Sequence, residues 1–199
     1  MQFEHLGARP RIHPGAVVAP TAVISGDVTI GEGCQVLHGA VLTAEGSPIV
    51  IGENVIVMEN ALIRASAVHP VHIGDHVLVG PMASVSGATI GDEVYLATGS
   101  RIVNGARVGE RSLVRMGAVV HVKTTLPPRT VVPLGWVAIG DPMRLLPAAD
   151  AEDISAAREE LDFPGYVFGL DRSAPDYMTQ LTERYGAALA RHAADRRVD

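Results

Sequence analysis

Residues 84–120 read SVSGATIGDEVYLATGSRIVNGARVGERSLVRMGAVV. After a step of five from Val85, an aliphatic residue recurs at every sixth place: Ile90, Leu96, Ile102, Val108, Val114 and Val120. The rhythm runs back through the chain. Ile12, Val18, Ile24, Ile30, Val36 and Leu42 keep it, and three extra residues (Glu45, Gly46, Ser47) precede Ile51, Val57 and Ile63. Four more extra residues precede Ile73, Val79 and Val85. Two places before most stops stands a small or β-branched residue, such as Ala22, Cys34, Ala61 or Ala106. An amphipathic helix repeats near 3.6 residues and a simple strand near 2, so neither yields this pattern. Six residues suit one short strand and a turn, and three such units close one coil of a triangular prism. The aliphatic stops face the axis, while pairs such as Gly31-Glu32, Gly74-Asp75 and Gly91-Asp92 suit the corners. The 18 stops predict six coils of an all-β parallel β-helix, its coils ~4.8 Å apart.

The hexads end at Val120 in this reading. Lys123–Pro142, with four prolines, reads as an irregular exit with at most a partial further coil. Residues 1–142 are thus expected to form the β-helix domain and 143–199 a C-terminal helical extension packed on the prism. Asp150 caps a helix that runs to about Leu161, and Phe163-Pro164-Gly165 breaks it. Ser173 and Pro175 open a second helix with Tyr177, Met178, Leu181, Tyr185 and Leu189 on one face, a stripe read as packing and not as a ligand site. The terminal RRVD reads as a frayed tail.

Composition narrows the function. Sixteen Lys and Arg against 22 Asp and Glu give a net charge of −6, no footprint for nucleic acid or an anionic membrane. One cysteine, Cys34, excludes a disulfide framework and a cysteine-rich zinc module, and it falls in the small inward slot. With no long apolar run at the start, a cytoplasmic protein is expected. Side faces carrying Leu37, Met58, Met82 and Val103 call for self-association.

The hexads resemble the left-handed β-helix superfamily, and Ile49–Pro142 is similar to its γ-class carbonic anhydrase-like branch. The likeness lies in the inserted segment 65–70, the five-residue step within GPMASVSGATIGDEV and the close VAIGDPMRLL. It implies a left hand, a homotrimer and a site between subunits with three zinc-binding histidines. Those three positions fall on Arg64, Pro81 and Ser86, and none is a histidine. A glutamine position carries Met58, and an arginine position carries Thr43, while two acidic positions survive as Glu45 and Glu59. Proline has no donor atom and arginine stays charged, so no zinc is expected here.

The hexad register stacks Thr43, Arg64 and Ser86 on one face, followed by Val103 and His121; His38, Glu59 and Pro81 form a second column. In the implied trimer the second column faces the first across an interface, where Arg64 either pairs with Glu59 or holds a ligand anion by its planar fork. Thr43, Glu59, Arg64 and Ser86 are therefore the candidate ligand-binding residues. His69 is the candidate general base because its loop borders that pocket. His72 and His76 read as solvated, and His38 and His121 as surface or interface residues. Ser86 lacks an identifiable base for nucleophilic work, and Trp136 and Gly135 read equally as packing or cleft lining. Two functions stay open. One is a metal-independent enzyme, an acyltransferase or a related enzyme acting on an acyl or carboxylated small molecule, for which acyl-CoA is the candidate cofactor and no cofactor is fixed by the residues. The other is a non-catalytic structural or ligand-binding homologue.

Overall fold

A computed structural model describes all 199 residues. Short parallel strands stack into three sheets, each strand pairing with its counterpart one coil away. The register is the hexad register. Ile24, Leu42, Ile63, Val85, Ile102, Val120 and Ala138 form one inward ladder. Ile12, Ile30, Ile51, Ile73, Ile90, Val108 and Leu126 form the second. Val18, Val36, Val57, Val79, Leu96, Val114 and Val132 form the third. From the second coil onward nearly all of these side chains are sealed from solvent, each fully buried Ile, Leu or Val contributing roughly 1.5–3 kcal/mol. A 35-residue aliphatic cluster results, which needs no aromatic filler.

Each ladder has seven members, so the solenoid exceeds the expected six coils. Leu126, Val132 and Ala138 continue the six-residue step beyond Val120. The prolines that mask it, Pro127, Pro128 and Pro133, stand between strands, where no ladder hydrogen bond is required of them.

Two antiparallel strands close the first sheet. Arg144–Leu146 pairs with Val137–Ile139 at one end. At the other, Arg196–Arg197 pairs with Gln2–Glu4, and Arg196 bonds Glu4. The terminal residues expected to fray therefore cover an otherwise open sheet edge. Helix α1 spans Ala151–Leu161. Phe163-Pro164-Gly165 starts a helix instead of merely breaking one: Asp162 turns left-handed and accepts a hydrogen bond from the Gly165 N–H at the head of α2, Phe163–Phe168. Helix α3 spans Tyr177–Leu189 and passes into a 3-10 turn, Ala190–Ala194. No helix is long and apolar enough to cross a membrane.

Candidate functional site

The first sheet sets Thr43, Arg64 and Ser86 side by side on adjacent strands, all half-buried on the outer face. Beside them the two insertions stack: the Glu45 N–H bonds the Ala65 carbonyl and the Ser47 N–H bonds that of Ser66. The insertions form one lip of a cavity that Arg64 and Ser86 also line and Thr43 does not. The opposite wall is the chain's own helices, α2 and α3. The cavity, open to solvent on one side, has a volume of about 290 Å³, with Glu45, Arg64, Ser66 and Ser86 on the solenoid side and Phe168, Leu181, Tyr185 and Leu189 on the helical side. Leu181, Tyr185 and Leu189 of the α3 stripe, read from sequence as packing, thus line this space, while Tyr177 and Met178 lie outside it.

Arg64 donates from a terminal guanidinium nitrogen to Glu45 at 3.2 Å, and its Cζ lies 5.3 Å from the centre of the Tyr185 ring. The other Glu45 oxygen is 3.0 Å from Nε2 of His192. Nδ1 of His192 lies 2.7 Å from Asp195, whose second oxygen is 2.6 Å from Nδ1 of His5. With a carboxylate at each ring nitrogen, the network assigns His192 as the imidazolium. Burial opposes that charge, but the hydrogen bonds to Asp195 and then Glu45 outweigh it and raise the His192 pKa. Burial likewise pushes Asp195 upward, and its bonds to His192 and His5 overcome this and lower it. Asp195 accepts the Nδ1 proton of His5 in this assignment, leaving bare the buried Nε2, which has no partner.

His5, His192 and Asp195 bring three ligand atoms within 4.8 Å of one another. The two rings stack, however, at 4.1 Å and 20°. Lone pairs of stacked rings run side by side and do not converge on one ion at bonding distance. The arrangement is a hydrogen-bonded clasp.

Other predicted residues lie elsewhere. Glu59 is exposed and makes no ion pair within the chain; Arg64 takes Glu45 instead, because the first insertion carries that carboxylate past the end of Val41–Ala44. Pro81 and Glu59 share a corner where the Met82 N–H bonds the Glu59 carbonyl. His69 does not line the cavity: Ser66, Ala67 and Val68 of its loop do. Its ring lies 4.7 Å from that of Tyr166, with Nε2 3.4 Å from the Tyr166 carbonyl. His72 and His76 are exposed on separate elements. His121 is half-buried with its ring 6.4 Å from that of Phe163, and burial followed by the nearby Arg158 charge lowers its pKa. Trp136 packs against the solenoid core. His5, His192 and Asp195 were missed because nothing local in the sequence joins the two ends of the chain.

Stacked hexads, three parallel ladders and a helical wrap define a left-handed β-helix of the hexapeptide-repeat class. Two family models agree: "Bacterial transferase hexapeptide (six repeats)" matches residues 9–44 and "Hexapeptide repeat of succinyl-transferase" residues 70–103. A provisionally named carbonic anhydrase of Methanocaldococcus jannaschii is 32% identical over 142 residues, covering 71% of this chain and 86% of its own. Gamma carbonic anhydrase 1, mitochondrial, of Arabidopsis thaliana is 32% identical over 152 residues, 73% of this chain and 53% of its own. The chain belongs to the γ-carbonic anhydrase-like family of hexapeptide-repeat proteins. It spans about half the length of that Arabidopsis relative. Among solved structures, the BC4754 product of Bacillus cereus, provisionally described as an acetyltransferase, superposes with a TM-score of 0.63 at 27% identity, covering 79% of this chain and 90% of its own.

Proposed function

We propose that this protein is a metal-independent member of its family which binds an acyl-bearing or carboxylated small molecule at Arg64 and assembles as a homotrimer. The observation that carries the reading is the Arg64–Glu45 pair on the cavity wall. A zinc ion does not fit the donor set that the resemblance brings together. Arg64 presents a cation already bonded to a carboxylate, Pro81 presents no donor, and Ser86 is a neutral hydroxyl. A charged planar fork facing an apolar cavity suits an anion instead. With His69 outside the lining, the cavity lacks the base that an enzyme reading would assign, which favours binding over turnover. The provisional acetyltransferase relative supports the second reading, transfer from acyl-CoA.

Assembly is supported by the sheet faces. The outward column of the third sheet reads Val17, Gln35, Ile56, Leu78, Tyr95, Leu113 and Val131; that of the second reads Arg11, Thr29, Val50, His72, Thr89, Arg107 and Thr125. The corner beside the third sheet adds Met82, Met116 and Leu134, all more than half exposed. A third-sheet face apolar at every one of these positions but Gln35 suits burial against another copy.

Elemental analysis of purified protein, with a CO₂-hydration assay, tests the reading. No stoichiometric zinc, iron or cobalt and no hydration above buffer are expected. One tightly held metal per chain would overturn it. Acetyl transfer from acetyl-CoA to a small acceptor would move the conclusion from binding to the second reading.

A further inference from the structure

We propose that the cavity between the Arg64 face and helices α2 and α3 takes a monoanion with a compact apolar body, a carboxylate bearing an alkyl or aryl group, and that one chain builds this site whole. The inference rests on the proposed function and narrows it to a ligand class.

Charge is the first support. Arg64, Arg184 and Arg191 border the cavity and Glu45 is its one carboxylate, so the local balance is cationic on a chain of net charge −6. Arg64 spends a single side-chain hydrogen bond on Glu45. Its other donors are left for a second carboxylate. A cationic pocket with apolar walls concentrates anions and repels amines of the same shape.

The roof is the second support. Inside the solenoid nearly every apolar side chain is sealed, yet α2 and α3 contain no buried residue at all. Phe168, Leu181 and Leu189 are half-buried and face the Arg64 wall across open space. Apolar walls left apart give up contacts that a ligand's hydrocarbon would restore. A volume of about 290 Å³ is at the small end for ligand pockets. It admits a short or medium acyl or aryl group with its carboxylate and leaves a nucleotide outside.

Both walls belong to one chain. The family resemblance implies a site shared between subunits; here α2 and α3 of the same chain supply the second wall.

Calorimetric titration of the full-length protein with sodium hexanoate, sodium 3-phenylpropanoate, sodium acetate, hexan-1-ol and hexylamine tests this. At least one of the two larger carboxylates should bind about tenfold or more tighter than acetate, the alcohol and the amine, the scale of one charge-assisted contact. Arg64→Gln should bring the carboxylate down to the alcohol. Should that variant misfold, Arg184→Gln combined with Arg191→Gln should weaken the carboxylate and leave the alcohol unchanged. Leu181→Glu, folded by circular dichroism, should abolish binding. Acetate binding as tightly as hexanoate, unchanged binding in folded Leu181→Glu, or no carboxylate binding at millimolar concentration would each overturn the inference. Binding of hexanoyl-CoA with none of the free acids would overturn it while the proposed function stands; no binding of either kind would remove both.

Discussion

Nε2 of His192 lies 3.0 Å from a carboxylate oxygen of Glu45, although 147 residues separate them. Glu45 is also the partner of Arg64, so the cavity wall and the C-terminal turn share one carboxylate. Through Asp195 the same chain of bonds reaches His5 in the first coil. Positive and negative groups alternate along it, which suits a protonated His192.

That protonation sets a pH dependence. The folded-state pKa of His192 is raised, so its contribution is complete below about pH 6.5, the ordinary imidazole range, and fades as pH rises through the higher folded value. Asp195 is lowered, so its contribution holds above about pH 4 and fades as pH falls through the depressed folded value. His121, lowered by burial, runs the other way and favours the folded state as pH rises toward neutrality. The difference between the wild type and His192→Gln isolates the clasp. The wild-type advantage should be greatest between about pH 4 and 6.5 and shrink by pH 9. Melting curves with a constant gap over that range would contradict it. At pH 6 the variant should lose about 1–3 kcal/mol, the scale of taking one charged hydrogen-bond partner from Glu45 and Asp195, which keep Arg64 and His5.

The terminal strand carries a second expectation. Arg196–Arg197 covers the edge of Gln2–Glu4, and the Val198 N–H bonds the Gln2 carbonyl. Deleting residues 196–199 bares unpaired backbone at the end of a parallel stack, a template for another chain's edge. Light scattering should show concentration-dependent growth of large species in the truncated protein and none in the parent. Equal behaviour would mean that the strand adds little protection.

The solenoid was legible because its period is enforced at every layer: each stop meets an aliphatic residue above and below, so an exception would leave a hole. The seventh coil escaped because its corners hold Pro127, Pro128 and Pro133, residues that look like the end of order and here stand between strands. The site was legible by halves. Register alone put Arg64 beside Thr43 and Ser86. The within-chain pairing of Arg64 with Glu45 went unread because Glu45 sits in an insertion, where the period loses its hold. The α3 stripe announced an apolar face but not what it faced. The clasp was beyond reach, since His5 and Asp195 are 190 positions apart with no repeat between them to transmit register.

Assembly offers a third prediction. Tyr95 and Leu113 are register partners on the outer face of the third sheet. Tyr95→Arg with Leu113→Arg places like charges on adjacent coils of the proposed interface, which tolerates neither repulsion nor desolvation. Sedimentation should show monomers in the double variant and trimers in the parent, with the β-sheet signal unchanged in circular dichroism. A monomeric parent, or a trimer that survives both substitutions, would contradict the proposed assembly.

The fourth prediction concerns Gly87, which follows Ser86 in the cavity floor. Its φ of +49° is left-handed, and a Cβ there would lie 2.5 Å from Cβ of His69 and 2.7 Å from Nδ2 of Asn104. Gly7 makes the matching control: its φ is +78° and a Cβ would meet nothing within 4 Å. Both alanine variants carry the backbone penalty of about 1 kcal/mol. Only Gly87→Ala adds crowding, typically a further 1–3 kcal/mol, so denaturant melts should separate the two by that amount. The effect should also travel. His69 is pressed against Tyr166 in α2, their ring centres 4.7 Å apart, and α2 is part of the cavity roof. Displacing His69 therefore shifts a wall of the cavity without touching Arg64 or Leu181. Hexanoate binding should weaken in Gly87→Ala and stay at the parental level in Gly7→Ala. Equal melts and equal binding in the two variants would show that the 65–70 loop yields freely and that His69 does not brace the roof.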